Sequence, residues 1–421
     1  QQYNTGGITH IIGRKVFLYF NGDHKHFERQ IRYGIANVLV NEMIYGGSIT
    51  SQVTNTTLIV LPDWYLNGLV SYLAEDWSTE LDNRVRDGVM SGRYDKFNRL
   101  TGEEARYAGH SLWKYIEQEH GPETIPDIVY MAKVSKNVES GFLFVLGISF
   151  KNLVNAWLDH FWRRYEDYAP AGFPDDRIEI APPRRPDRVY TAVRLSPDGR
   201  HAAYVTNEMG RYFVWLYDRS SGKARKIYRA GHKLDQKTDY SYPLLAWHPN
   251  GRLLAFMTEA RGKVYLHYYD MVKEELDKIP FYRFEKIVSF DYSPDGKLFI
   301  LSAVQKGQSD LYVYNIASRT IDQLTSDIFD DLYPRFIDQS SRVIFSSNRP
   351  SDTLHWDRVP DMQSTPERHD LFIYDLERRS ALLRRLTNTP LADEILPRQG
   401  QGGYFTYLSD ENGIYNRFVA R

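Results

Sequence analysis

The sequence predicts a multidomain protein in which a mainly α-helical N-terminal domain is followed by an all-β propeller. Three observations predict this order. Apolar residues recur at helical spacing up to about residue 168, prolines cluster over 169–187, and a turn tetrapeptide recurs beyond them. The predicted domains are therefore a helical domain at 1–168 and a propeller at 188–421, joined by a proline-rich linker at 169–187.

Helical periodicity is clearest in two stretches of the first domain. Residues 27–43 carry apolar side chains at three- and four-residue spacing, which predicts an amphipathic helix. Its predicted buried face consists of Ile31, Ile35, Val38 and Leu39. A second helix is predicted from Pro62, because proline is favoured in the first helical turn. Its predicted apolar stripe consists of Leu66, Leu69, Val70 and Leu73, and further helices are predicted at about 103–119, 122–133 and 149–166.

The segment 169–187 separates the two patterns. It contains the runs Ala-Pro-Ala-Gly-Phe-Pro and Ala-Pro-Pro-Arg-Arg-Pro. Proline lacks a backbone N–H and fixes φ, so a helix cannot continue through such a run. An extended and fairly stiff linker is the expected structure.

A repeat predicts the fold of the second half. Ser-Pro-Asp-Gly at 196–199 recurs as His-Pro-Asn-Gly at 248–251 and as Ser-Pro-Asp-Gly at 293–296. Each is a tight-turn signal followed by a strand rich in aromatic and aliphatic residues, and then by a second strand that ends in Asp or Asn. A fourth copy has a degenerate turn at 337–340, and a fifth begins near Pro397. Five copies with the same order of elements predict five propeller blades.

The blades resemble the WD-like repeats of the TolB family and of the propellers on prolyl oligopeptidase-type peptidases. The resemblance rests on the turns, on the strand ends Tyr-Asp and Tyr-Asn, and on Phe-Ser-Ser-Asn-Arg at 345–349, and it covers about 190–421. Propellers of this family commonly have six or more blades, so with five visible the propeller is expected to be incomplete. Such propellers serve mainly as rigid binding platforms.

The helical domain resembles the gluzincin-type, peptidase MA-like metallopeptidases over about 8–166. Residues 61–73, Leu-Pro-Asp-Trp-Tyr-Leu-Asn-Gly-Leu-Val-Ser-Tyr-Leu, resemble the helix that supplies the third zinc ligand there. The preceding helix should carry His-Glu-x-x-His, two ligands and a general base. In phase with that motif the chain reads Arg-Tyr-Gly-Ile-Ala. The resemblance implies four degenerate metal-site positions: Arg32 for the first ligand, Tyr33 for the general base, Ala36 for the second ligand and Asn67 for the third.

Composition excludes several kinds of chemistry. The chain has no cysteine, which rules out disulfides, thiolate zinc sites and cysteine nucleophiles. Arginine cannot ligate zinc, and its charge repels a cation. No nucleophile elbow and no glycine-rich phosphate loop occur in the sequence. The protein is therefore expected to be a pseudo-metallopeptidase, with no enzymatic activity, no bound metal and no cofactor.

The expected function is that of a non-catalytic binding or scaffold protein. With 53 basic and 54 acidic residues the chain has no electrostatic signature of a nucleic-acid partner. The order of domains resembles large exported proteins of the Gram-negative cell envelope. This resemblance implies a location in the periplasm or at the outer membrane, with the signal peptide not in this chain. It also implies membership of a secretion or assembly complex, with other envelope proteins, among them an outer-membrane protein, as partners.

Two alternative functions remain open at the level of sequence. The chain would be a fragment of an active peptidase if a catalytic domain lay outside these residues, as in prolyl oligopeptidase-type enzymes. It would be a sugar- or peptide-binding propeller if its aromatic residues, 14% of the chain, lined the central channel.

Overall fold

The structure, a computed structural model, describes residues 9–46, 61–167, 188–233, 238–354 and 366–421. The linker predicted at 169–187 lies outside the described residues. The chain divides into two compact units. A helical unit comprises Thr9–Leu18 and the described part of Glu28–Pro174, and a propeller unit comprises Tyr19–Phe27 and the described part of Asp175–Arg421.

Helices dominate the first unit. In chain order they are α1 (His24–Tyr45), α2 (Asp63–Ala74), α3 (Thr79–Met90), α4 (Gly102–His120), α5 (Thr124–Ser135), α6 (Val138–Leu146) and α7 (Phe150–Tyr165), with a 3₁₀ segment at Arg93–Arg99. A hairpin of β1 (His10–Ile12) and β2 (Lys15–Phe17) accompanies them. The helices predicted near 103–119, 122–133 and 149–166 are confirmed as α4, α5 and α7. Short helices α3 and α6 were not predicted, although Ser78 and Asn137 cap their N-termini with side-chain oxygens.

The predicted buried face of α1 is wrong. Ile35 and Leu39 are 54% and 60% exposed, whereas Gly34, Ala36, Val40 and Ile44 are buried. Ala36, Val40 and Ile44 pack into the core of the helical unit, and a Cβ added at Gly34 would lie 2.5 Å from Val16 of the β1–β2 hairpin. A periodicity based on the largest apolar residues selects the opposite face.

Helix α2 crosses α4 at unusually short range. A Cβ added at Gly68 would lie 2.4 Å from the Cα of Gly109, and one added at Gly109 would lie 1.9 Å from the carbonyl oxygen of Trp64. Trp64 is fully buried, and its ring stacks on Phe150 with centroids 4.9 Å apart. Glycine on both helices thus lets the two backbones approach while the tryptophan beside them fills the core.

Helices α6 and α7 form the most apolar stretch of this unit. Within the described residues, no single helix has both the length and the apolar composition needed to cross a membrane. Taken together α6 and α7 meet that test of length and composition, but they are bent by 75° at the break between them. Phe142 and Trp157, one on each helix, are completely buried in the core of the helical unit.

The second unit consists of five antiparallel sheets, as the repeats predicted. The strands of the first three blades are β3 (Val189–Leu195), β4 (His201–Glu208), β5 (Arg211–Asp218) and β6 (Lys223–Ala230); β7 (Leu244–Trp247), β8 (Leu253–Ala260), β9 (Lys263–Asp270) and β10 (Leu276–Phe281); and β11 (Lys286–Tyr292), β12 (Leu298–Gln305), β13 (Gln308–Asn315) and β14 (Ile321–Gln323). Those of the last two are β15 (Asp331–Ile337), β16 (Arg342–Ser347), β17 (Asp370–Asp375) and β18 (Arg384–Arg385); and β19 (Glu394–Gln399), β20 (Phe405–Ser409) and β21 (Asn416–Ala420). The five-bladed fold is confirmed.

The repeated tetrapeptides form the turns between the first and second strands of blades one to three. In the first of them Ser196 donates a hydrogen bond of 2.6 Å to Asp198 and accepts one of 2.9 Å from the backbone N–H of His201. Gly199 adopts a φ of 69°. In the second turn Asn250 takes the place of aspartate and accepts a bond of 2.9 Å from the backbone N–H of Arg252. The degenerate fourth turn is instead a short 3₁₀ segment at Asp338–Ser340.

The first strand of each blade is the innermost. Strand β7 packs against β3 and β11, and β15 packs against β11 and β19, so neighbouring blades meet through these strands. No comparable contact joins β19 to β3, and the described blades therefore leave an opening between the fifth and the first. The segment Tyr19–Phe27 groups with the propeller, although the predicted boundary placed it in the helical domain.

Candidate functional site

The four predicted metal-site positions lie on α1 and α2. Arg32 is exposed and pairs with Glu28 one turn earlier, while Ala36 is buried. Tyr33 is half-buried, and burial raises the pKa of its phenol. Asn67 is half-buried on α2. Among the described residues no hydrogen bond or ion pair joins these four positions to one another.

A polar network lies on α2 and α4 close to Tyr33. Arg106 donates a hydrogen bond of 2.6 Å from Nη1 to Glu75 Oε1, and Ser71 Oγ donates to the same carboxylate oxygen at 2.6 Å. Ser71 Oγ also lies 3.0 Å from His110 Nδ1. The positive charge of Arg106 opposes the rise in the pKa of Tyr33. The position predicted for a general base thus faces a guanidinium–carboxylate pair.

This network is built for structure. Ser71 and His110 are 0% and 1% exposed, so no substrate can reach the hydroxyl or the imidazole. Burial, with Arg106 and Lys114 nearby, lowers the pKa of His110 to about 3, and the ring is therefore neutral at physiological pH. Throughout the described ranges, no group of three or more histidine, aspartate or glutamate side chains is arranged to hold a metal ion. The expected absence of a metal stays a prediction.

In the propeller, the predicted Phe-Ser-Ser-Asn-Arg segment ends in a buried arginine. Arg349 is 1% exposed and donates hydrogen bonds of 2.7 and 2.9 Å from Nη2 to the two carboxylate oxygens of Asp331. Its Nη1 donates to Asp327 at 3.1 Å. Phe345 and Phe372 flank the guanidinium, which lies 5.8 and 5.9 Å from their ring centroids. The single positive charge of Arg349 is thus shared between two carboxylates in a buried part of the fourth blade.

A third carboxyl, that of Asp310, lies beside these two. Asp310 is 1% exposed, and burial, with the negative charges of Asp331 and Asp327, raises its pKa to about 8. Burial and the negative charge of Asp331 raise the pKa of Asp327 to about 6, against the opposing charge of Arg349. In the fifth blade burial raises the pKa of Glu394 to about 7. The propeller therefore holds carboxyl groups that titrate near neutral pH.

The stability of the propeller should fall as the pH rises from about 5 to 8. A carboxyl whose pKa is higher in the folded protein binds a proton that the unfolded chain has already lost, so its contribution disappears as the pH passes the folded pKa. In Asp310→Asn this group cannot ionise, and the variant should gain about 1–3 kcal/mol relative to the native protein over that range. Urea unfolding at several pH values, followed by amide hydrogen exchange of β12 and β13, measures the difference.

Asp198→Asn is the matched control for this titration. Asp198 lies in an exposed turn, and hydrogen bonds from Ser196 and the backbone of Arg200 lower its pKa, so it is fully ionised throughout the same pH range. The stability of Asp198→Asn relative to the native protein should be independent of pH between about 5 and 8. Equal pH dependence of the native protein and Asp310→Asn would contradict the assignment.

The segment Tyr19–Phe27 docks at the end of the propeller where the inner strands begin. The backbone N–H and Nδ1 of His24 lie 2.7 and 2.6 Å from the two carboxylate oxygens of Asp330, which immediately precedes β15. Lys25 Nζ lies 3.2 Å from Asp393, which precedes β19. The hydrogen bond to Asp330 raises the pKa of His24, which favours the charged imidazole. This end of the inner strands is thus partly covered by the chain itself.

Sequence reasoning missed most of these residues. Arg106 and Glu75 carry no motif, and only the helix crossing brings them together. The buried acids Asp310 and Asp330 lie within or directly before strands whose sequences do not distinguish them from other strand residues. The repeated Leu-Thr pairs at 324–325 and 386–387 are a signal that was available, because Thr325 and Thr387 accept the backbone N–H bonds of Leu311 and Leu371 in the same way.

Comparison with known sequences connects part of the chain to one protein. No family model matches the chain. A stretch of 90 residues is 30% identical to the Tol-Pal system protein TolB of Ruthia magnifica subsp. Calyptogena magnifica. This stretch covers 20% of the present chain and 20% of that protein. The chain thus matches about a fifth of the length of its curated relative.

Solved propellers resemble the chain weakly. TolB from Acinetobacter baumannii is 17% identical, with a TM-score of 0.39, and the match covers 55% of this chain and 54% of that one. The β-propeller domain of the Trilobed protease from Pyrococcus furiosus is 16% identical, with a TM-score of 0.37, covering 55% of this chain and 66% of that one. Scores this low carry no argument, and the propeller fold rests on the strands described above. The metallopeptidase resemblance of the helical unit stays a prediction.

Proposed function

We propose that the protein is a non-catalytic binding and scaffold protein of the Gram-negative cell envelope, where it belongs to a periplasmic or outer-membrane secretion or assembly complex. The observation that carries this proposal is a five-bladed propeller in a chain with a 90-residue similarity to a Tol-Pal system protein. Propellers present rigid faces suited to binding other proteins. The partners proposed are other envelope proteins, among them an outer-membrane protein.

The helical unit is proposed to be a metallopeptidase-like domain without a working metal site. Arg32, Ala36 and Asn67 occupy the proposed ligand positions, and none of them supplies an imidazole or carboxylate donor. The Arg106–Glu75 pair beside Tyr33 supports the proposal, because a guanidinium there disfavours a divalent cation. The unit would then act as a structural or docking domain.

Restoring the motif tests the metallopeptidase-like identity. The variant Arg32→His, Tyr33→Glu, Ala36→His, Asn67→Glu rebuilds the full set of ligands and base. If these positions correspond to the zinc ligands of the metallopeptidases, the variant should bind about one zinc per chain, with tetrahedral coordination by X-ray absorption. The native protein should bind none after dialysis.

A phase-shifted variant serves as the control. Ile31→His and Ile35→His, combined with the same Asn67→Glu, move the two histidines one residue away from the proposed ligand positions, and this variant should bind no zinc stoichiometrically. Stoichiometric zinc in the native protein would overturn the non-catalytic proposal. A folded restored variant without zinc would overturn the metallopeptidase-like identity and leave the propeller proposal standing.

The envelope role is tested by fractionation and crosslinking. The tagged chain, directed to the periplasm of a Gram-negative cell, should crosslink to a small, reproducible set of envelope proteins, identified by mass spectrometry. A periplasmic propeller of unrelated sequence is the control for non-specific capture. Recovery of the same proteins with both, or of none, would contradict the proposal.

A further inference from the structure

One position on the innermost strand recurs at the same place in all five blades. In the first four blades this residue pairs with the third residue of the second strand, and in the fifth blade it pairs with Thr406, the second residue of β20. We call it the ring position. The strand registers assign it to Arg194, Ala246, Asp291, Arg335 and Arg398. Three of the five blades therefore place an arginine at the same level of the inner strands.

The same backbone device positions the three arginines. In each of these strands the register shifts just before the arginine, at a β-bulge that contains one residue with positive φ. These residues are Ala192, Tyr333 and Leu396, with φ of 54°, 54° and 55°. Bulges often change the direction of a side chain, and here a bulge precedes the arginine at the ring position in three separate blades.

The arginines meet at a cavity of about 140 Å³. Its walls come from the first, fourth and fifth blades. Its lining includes the three ring arginines and a fourth, Arg417, which projects from β21. Thr406 and Tyr407 of β20 contribute further polar atoms.

Negative charge at this cavity does not balance the four guanidinium groups. Asp291, the carboxylate at the ring position, lies 3.3 Å from Arg335 Nε. Arg194 donates to the backbone carbonyl of Val193 at 3.1 Å. Across the described part of the chain, no carboxylate pairs with Arg194, Arg398 or Arg417. The site therefore carries a net positive charge.

Burial and the crowding of like charges both act on these arginines. Burial, followed by the charges of Arg335 and Arg398, lowers the pKa of Arg194 to about 10. Burial and the charges of Arg335 and Arg417 likewise lower the pKa of Arg398. Because arginine is always charged in proteins, the propeller keeps an unfavourable concentration of positive charge that an anion would relieve.

We propose that the ring arginines bind a compact oxyanion with two negative charges, of the phosphate monoester or dicarboxylate class. The guanidinium fork bonds such oxygens bidentately, which explains arginine rather than lysine at the repeated position. The cavity volume is close to the roughly 150 Å³ that accommodates a benzene-sized molecule, so it has room for a compact oxyanion. This site does not depend on the proposed envelope role.

Isothermal titration of the full chain with inorganic phosphate, phenyl phosphate and succinate at low ionic strength tests the site. At least one of these probes should bind with a dissociation constant below about 1 mM, and salt should weaken binding. Arg194→Gln and Arg398→Gln should each weaken it by about tenfold or more. Their relative affinities for phosphate and succinate identify which oxyanion class the site prefers.

Arg378→Gln is the control. The side chain of Arg378 is 83% exposed on an outer turn of the fourth blade, so its substitution should leave binding unchanged. Thermal unfolding without ligand distinguishes lost binding from lost folding, since removing one of several like charges should not lower the midpoint for Arg194→Gln or Arg398→Gln. No binding of any probe by the native protein, or equal loss in Arg378→Gln, would overturn the proposal. So would binding of an acidic peptide in the absence of any small-anion binding.

Discussion

Replacing Arg349 with methionine is expected to lower the free energy of unfolding of the propeller by about 3–5 kcal/mol. The change leaves Asp327 and Asp331, whose side chains are 2% and 0% exposed, without their shared counter-charge. A buried carboxylate that loses its partner carries its full desolvation cost. Urea unfolding followed by amide hydrogen exchange of β15, β16 and β17 measures the effect in this blade separately from the helices.

Two further variants make this expectation specific. Arg378→Met removes an exposed arginine 3.7 Å from Asp375 and should change the stability by no more than about 0.5 kcal/mol. Adding Asp331→Asn to Arg349→Met removes one of the stranded charges and should recover part of the loss. If the single Arg349→Met variant proved as stable as the native protein, the two carboxylates would have to be protonated or hydrated, and the buried ion pair would be incorrect.

Gly109→Ala is expected to destabilise the helical unit by about 3 kcal/mol, at the upper end of overpacking changes. The added methyl group would lie 1.9 Å from the carbonyl oxygen of Trp64 and 2.8 Å from the Cα of Gly68, so the two helix backbones must separate. Helix propensity alone predicts the opposite, a gain of about 1 kcal/mol. Thermal unfolding followed by far-ultraviolet circular dichroism therefore decides the sign.

The control for the glycine substitution is Asn155→Ala on the exposed side of α7. It introduces alanine into a helix without a close neighbour and should leave the midpoint unchanged or slightly raised. Should Gly109→Ala behave like Asn155→Ala, then α2 and α4 do not approach as closely as described, and the packing of Trp64 beside them would need revision.

The propeller was predictable because its turns are local. A Ser-Pro-Asp-Gly turn is closed by hydrogen bonds between residues two to five positions apart, as between Ser196, Asp198 and His201. The substitution of Asn250 for aspartate keeps the acceptor, so the second copy is recognisable too. Long helices such as α4 were predicted for a similar reason, since their apolar spacing is read within one segment.

Features that depend on tertiary approach were not predictable in the same way. The buried face of α1 depends on the helices that pack against Ala36, Val40 and Ile44, and a single helix pattern contains no trace of those contacts. The ring position depends on bulges with the sequences Ala-Val-Arg, Tyr-Pro-Arg and Leu-Pro-Arg. Pro-Arg at 334–335 and 397–398 was a visible hint, but its alignment with Arg194 requires the register of the strands.

The docking of His24 on Asp330 links the order of synthesis to the order of folding. The two residues are 306 positions apart, and the same segment reaches Asp393, 368 positions from Lys25. At roughly 5–20 residues per second, the segment is made about 15–60 s before Asp330 and about 18–74 s before Asp393. Until the fourth and fifth blades are made, His24 and Lys25 lack these two carboxylate partners. Formation of their contacts would therefore show that the last two blades have been completed.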